Sequence, residues 1–205
     1  SEIATLLSAL TSPDKSALTR HAGAGAEAAH WLPLLAMYTG ARLSELAQLT
    51  TSDLVEEPDG YWLSITDRAD HQKLKSVAAK RKIPVHEALI NAGFLTYAMA
   101  QAKAGRTTMW PMLPMRKDKA GGYFSNWFGR YLKSLGITGL DFHSFRHTFR
   151  SKLVLANTPE AVIDNVMGHS VAGNVGKARY THIDAEARGW IQEVTYRPST
   201  TFSVD

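Results

Sequence analysis

A chain of 205 residues, 44% of them apolar, can bury a sizeable core as one domain or a tight pair. It has no cysteine, which excludes disulfides, thiol catalysis and cysteine-ligated zinc, and its longest apolar run, Trp31 to Met37, is far too short to span a bilayer. A net charge of +4 and a pI near 9.3 suit a polyanionic partner without specifying one. No signal peptide leads the sequence, so a soluble, intracellular protein is expected.

Residues 3–10 have the spacing of a short amphipathic helix, and Pro13-Asp14-Lys15 opens a second that His21-Ala22-Gly23-Ala24-Gly25 breaks. From Ala26 to Thr39 the chain is apolar and helical in character, with Trp31, Leu34, Leu35 and Tyr38 on one side. Thr39-Gly40-Ala41 marks a turn, and residues 42–49 predict a helix burying Leu43, Leu46 and Leu49. Arg42 stands in its first turn, where the helix dipole disfavours a cation. Glu45, three residues on, or a bound anion would neutralise it.

Residues 61–66 read as a strand bounded by Pro58-Asp59-Gly60, and residues 80–85 as another. Residues 71–76 are expected to supply the middle strand of a three-stranded antiparallel sheet near 61–85. Lys73, Lys75, Lys80, Arg81 and Lys82 make this the densest positive patch in the chain. Such residues either guard an exposed sheet edge or face a polyanion. Helices resume at 87–90 and 94–103. A basic loop punctuated by Pro and Gly follows to Gly122 and carries Arg116, Lys117 and Lys119. Residues 123–132 predict an aromatic amphipathic helix with a core role, so the whole pattern is α+β and mainly helical.

Asp141 to Arg150 concentrates phosphate chemistry on one helical turn. His143 and Arg146, at i and i+3, share a face, while Phe142, Phe145, Phe149 and Leu153 hold the helix to a core. An imidazole moves a proton near neutral pH, and a guanidinium grips two phosphate oxygens at once. His143 and His147, at i and i+4, have a zinc-binding spacing, but the His-Glu-x-x-His pattern is absent. Alone, the stretch also fits surface or capping residues. Thr158-Pro159-Glu160 opens a helix to Met167, ended by Gly168 and followed by His169-Ser170. Arg179-Tyr180-Thr181-His182 and a last helix near 185–194 precede a polar tail. In isolation, Tyr180 reads as a buried or interfacial tyrosine and His169 as a helix-end residue.

Taken together, Thr39-Gly40-Ala41-Arg42-Leu43-Ser44-Glu45, His143-Ser144-Phe145-Arg146, Met167-Gly168-His169-Ser170 and Tyr180-Thr181-His182 say more. Each is weak alone, but in this order and spacing the chain resembles the catalytic domain of a tyrosine recombinase of the phage-integrase type, over nearly its whole length. The resemblance implies the DNA breaking–rejoining fold shared with type IB topoisomerases. It makes Arg42 and Arg146 the catalytic arginines and His143 the catalytic histidine. His169 takes a position filled by His or Trp, and Tyr180 is the nucleophile. Lys75 best fits the hairpin lysine, with Lys73 as the alternative. Glu45 would orient Arg42 from outside the reacting atoms, and Lys73, Lys80, Arg81, Arg116 and Lys117 would contact DNA.

The residue types suit that chemistry. A phenol with a pKa near 10 needs help losing its proton, and a phosphorane needs its nonbridging oxygens neutralised. Lys75 would protonate the departing 5′ oxygen, leaving a 3′-phosphotyrosyl link. With these cations in place, no metal and no cofactor is expected. The resemblance further implies a double-stranded DNA attachment site, other protomers in a synaptic tetramer, and accessory DNA-bending proteins as partners, and no membrane. The setting would be cytoplasmic and nucleoid-associated, in a prokaryote, phage or other mobile element. Residues 1–195 are expected to form a single catalytic domain, without the amino-terminal DNA-gripping domain usual in integrases, and 196–205 a polar tail. The last helix, with Trp190, Ile191 and Val194, suits docking on a neighbouring protomer. The competing readings are relaxation of DNA by a type IB topoisomerase, a non-catalytic DNA-binding module of the same fold, and a metallohydrolase built on His143 and His147.

Overall fold

The structure, a computed structural model, describes residues 2–12, 18, 21–115, 120–169 and 186–196. Helix α1 (Glu2–Thr11) lays Leu6, Leu7 and Leu10 on α2 (Ala28–Thr39), whose twelve residues are all buried. An all-round apolar helix of this kind belongs at the centre of a fold. Gly40 ends α2 in the left-handed region at φ 62°. Its hydrogen lies where a Cβ would come within 2.5 Å of Phe149 Cδ1 and 3.1 Å of Met167 Sδ. Glycine is therefore required twice here, for the backbone and for the close approach. After two residues the chain re-enters a helix, α3 (Leu43–Ala47), with Arg42 as its extended N-cap.

The sheet is three-stranded and antiparallel as expected, but its membership differs. Its strands are β1 (Leu54–Glu57), β2 (Gly60–Ile65) and β3 (Arg81–Pro84), in that order. Leu54 pairs with Leu63 and Glu57 with Gly60 across the Pro58-Asp59 turn, while Leu63 pairs with Ile83 on the other side. Both edges of β2 are thus taken, so β2 is the middle strand and residues 71–76, expected in that place, are not part of the sheet. They form part of the long connection 66–80, which ends in a 3-10 turn at Val77–Ala79.

Helices α4 (Glu87–Asn91) and α5 (Phe94–Lys103) follow. Then come α6 (Gly122–Ser134), α7 (Phe142–Leu155) and α8 (Glu160–Met167). Phe124 and Phe128 of α6 meet Phe142 and Phe145 of α7 in a buried aromatic cluster, the ring centroids 5.5–5.9 Å apart. Asp141 caps α7, its carboxylate accepting from the Ser144 N–H at 2.8 Å, which sets His143 and Arg146 on the first turns. A last helix, α9, covers 186–192. Ile191 and Val194, expected to serve docking on another protomer, are instead buried in this chain's own core. The helix expected to open at Pro13-Asp14-Lys15, the loop cations Arg116, Lys117 and Lys119, Ser170, the Arg179-Tyr180-Thr181-His182 segment and the tail from 197 lie outside the described residues. No helix among the described residues is long and apolar enough to cross a membrane.

Candidate active site

The site begins with one buried carboxylate. Glu45 accepts from the Arg42 N–H at 2.9 Å through Oε2 and from Arg42 Nη1 at 2.9 Å through Oε1. This resolves the cation at the start of α3: the Glu45 carboxylate neutralises it. Oε2 also accepts from Arg81 Nη2 at 2.9 Å, across from β3. Burial alone would raise the Glu45 pKa, but the Arg81 charge and hydrogen bond, with those of Arg42, hold it below the usual carboxylate range.

Arg81, expected among the DNA contacts, is buried in this structure. Its side chain is 1% exposed, and its other donors go to Val166 O at 2.6 Å and Ala79 O at 2.8 Å. It ties β3, α3 and the end of α8 into one rigid corner. Gly168, at φ 65°, lets this guanidinium pass, since a Cβ there would stand 2.8 Å from Arg81 Nη1.

Arg146 enters the corner from α7. Nη1 donates to Gly40 O at 2.8 Å, and Nη2 donates to Met167 O and, at 3.0 Å, to His169 Nε2. A guanidinium cannot accept, so His169 Nε2 carries no proton and Nδ1 does. That Nδ1–H is 3.2 Å from Asp164 Oδ1, which accepts it. His169 therefore braces Arg146 and is itself braced by Asp164. Of the five N–H donors of Arg146, these three contacts leave two for another acceptor. Burial pushes its pKa down to about 10, with the Arg42 and Arg81 charges acting in the same direction against Glu45. It is still cationic at neutral pH. Arg42 and Arg81 share the Glu45 carboxylate, while Arg146 bonds to two carbonyls and an imidazole, so guanidinium charge at the corner exceeds what Glu45 neutralises, an arrangement that favours a bound anion.

The corner opens on two adjoining hollows. The smaller, about 240 Å³, is lined by Arg42, Ser125, Asp141, His143 and Arg146. The larger, about 620 Å³, shares Arg42 and His143 and adds His71, Lys73 and Lys75 from the connection 66–80. His143 is exposed, its ring edge-on to His147 with centroids 4.7 Å apart. Lys80 is paired with Asp67 at 2.7 Å on the surface. The structure thus brings Arg42, Glu45, Arg146 and His169 into one network and gathers His143, Lys73 and Lys75 at its mouth. Tyr180, Arg116 and Lys117 lie outside the described residues.

Sequence reasoning missed three contributors. Asp164 stands five residues before His169, a spacing that signals nothing until Gly168 folds the chain back. The Gly40 carbonyl is a backbone group. Arg81 was hidden in a basic run, although the apolar residues Ile83 and Val85 after it, at alternate positions, were a signal that its side chain faces inward.

Comparison with known proteins matches this architecture to one family. No curated protein matches the chain. Among solved structures, the integrase from mycobacterium phage Brujita is similar at a TM-score of 0.59 and 18% sequence identity, over 98% of this chain and 60% of that one. That likeness is one of fold, and the chain spans about 60% of the integrase's length. Residues 2–187 match the phage integrase family. The chain belongs to the phage integrase family.

Proposed function

We propose that the chain acts as the catalytic domain, residues 1–195, of a site-specific DNA recombinase that cuts and rejoins strands through a 3′-phosphotyrosyl intermediate on Tyr180. The observation that carries this reading is the surplus of guanidinium charge around Glu45, with two N–H groups of Arg146 left over, at the mouth of a hollow holding His143, Lys73 and Lys75. A phosphodiester supplies the anion that this surplus favours.

In the reaction, Tyr180 Oη attacks phosphorus and its proton passes to an imidazole. His143, open to the hollow, suits that transfer better than His169, whose nitrogens are both engaged. Arg42 and Arg146 hold the nonbridging oxygens as the phosphorane forms. The bond from phosphorus to the 5′ oxygen breaks, and Lys75, or Lys73 beside it, supplies a proton to that oxygen. Attack by a 5′ hydroxyl reverses each step and restores the tyrosine, so neither ATP nor a metal enters the balance. The partners under this reading are a double-stranded attachment site and further protomers in a synaptic tetramer, with DNA-bending proteins as accessories, on the nucleoid of a bacterial host.

The test is covalent capture. With a nicked duplex carrying the repeats that border the gene, the protein should become linked to the 3′ end of the cut strand, with or without a chelator. Tyr180→Phe should bind the same duplex and form no link. A linked product in that variant would sink the assignment.

A further inference from the structure

Gln48 follows α3, and its side chain is buried although glutamine is mostly a surface residue. Its amide pairs with both sides of one residue in the connection 66–80. Nε2 donates to Lys73 O at 3.1 Å, and Oε1 accepts from the Lys73 N–H at 2.9 Å. A neighbouring strand would bond to a residue in the same two-way manner. The main-chain carbonyl of Gln48 accepts from His71 Nε2 at 3.1 Å and from Gln72 Nε2 at 3.3 Å. A carbonyl only accepts, so His71 carries its proton on Nε2. Gln72 also donates to Asp53 at 2.7 Å and accepts from the Ala69 N–H at 3.1 Å.

Residues 69–73 thus hang from the stretch that continues the arginine helix. Among the described residues, no backbone hydrogen bond holds Leu74 or Lys75. The Gln48 side chain grips Lys73 directly, and Lys75 stands two residues on, beyond Leu74, which packs against the core. Arg42 is at the other end of the same helix, six residues before Gln48.

We infer that Gln48 is a positioning residue for the leaving-group lysine, splinting the lysine loop to the helix that carries Arg42 so that ammonium and guanidinium keep a fixed offset across the hollow. The inference rests on the recombinase reading above. It gives the expected middle strand a function in its absence: a side-chain amide replaces the sheet ladder, and the loop stays outside the sheet where its lysines face the hollow.

Gln48→Met keeps the length and bulk of the side chain and removes both bonds. The direct readout is amide exchange at Lys73, which should accelerate by about tenfold, the scale of one hydrogen bond. Exchange in α2 should be unchanged. The functional readout uses the nicked duplex with its scissile 5′ oxygen either native or replaced by sulfur, whose thiolate leaves without a proton. Gln48→Met should form the covalent product about tenfold or more slowly on native DNA, a share of the 10²–10⁴ that a general acid supplies. On the sulfur duplex it should match the wild type. Gln48→Glu, which keeps the acceptor for the Lys73 N–H, should fall between. Equal slowing on both duplexes, or unchanged Lys73 exchange, overturns the positioning role. Should the wild type form no covalent product on either duplex, the recombinase reading itself fails, whatever the exchange data give.

Discussion

At the scale of single residues, what decides the site is how many cations share Glu45. The contact with Arg42 was legible because i and i+3 on a helix are neighbours whatever the rest of the chain does. The contact with Arg81 was not, because its partner is 36 residues away and only the pairing of β3 with β2 sets the distance. Glu45 should therefore matter to folding and to chemistry alike. Glu45→Gln leaves the Arg42 and Arg81 guanidinium groups against a neutral amide, and removing one partner of a buried ion pair costs about 3–5 kcal/mol. The pH dependence has a definite sign. The folded carboxyl is held below its ordinary value, so its stabilisation is complete above the ordinary range and disappears as pH falls through the lower, folded value. Urea melts should show a constant gap between wild type and Glu45→Gln from neutral pH down to about 5, narrowing below about 4. A gap that stays constant to pH 3 would mean the guanidinium groups do not hold this carboxyl low.

At the scale of elements, two turns do more than connect. Gly40 closes α2, turns its carbonyl to Arg146 and lets Phe149 of α7 lie against its backbone. The sequence displayed the glycine and the turn. It did not display the reason for glycine, which is the passage of α7 across the end of α2. The sheet repeats the lesson. Alternating residues 61–66 and 80–85 were legible as strands, whereas the choice between residues 54–57 and 71–76 as their companion was not. The short Pro58-Asp59 turn closes β1 on β2 as a hairpin, and β3 reaches the other edge of β2 only across the fifteen-residue connection 66–80. Gly40→Ala tests the turn: it strains a positive φ and forces a methyl to within 2.5 Å of Phe149. Stability should drop by roughly 2–4 kcal/mol, overpacking and backbone strain together. The change should also slow covalent capture, because the carbonyl that Arg146 grips moves with the backbone. A variant as stable as wild type would show that α7 has room to retreat.

At the scale of the molecule, the open matter is whether α9 belongs to the fold or to an assembly. Its composition suited docking on a neighbour, and an apolar helix near a chain end gives no hint of which body it covers. In the structure it covers its own. Ala187, Ile191 and Val194 are each at most 1% exposed, Tyr196 Oη donates to Met37 O at 2.7 Å, and the Arg188 guanidinium lies 5.0 Å from the centre of the Trp62 ring. Gln192 reaches both the Glu87 N–H and the Val85 carbonyl, joining α9 to the start of α4. The Tyr196 bond to Met37 ties this segment to α2, the helix that Gly40 ends. Ile191→Ala separates the two roles. If α9 is part of the fold, the cavity costs about 2–5 kcal/mol. For a chain of this size that lowers the melting midpoint by roughly 5–15 °C with no DNA present. If α9 instead serves only a neighbouring protomer, the free protein melts as wild type does, and the loss emerges as weaker assembly on DNA in light scattering. The packing in hand favours the first result, and an unchanged midpoint would overturn it.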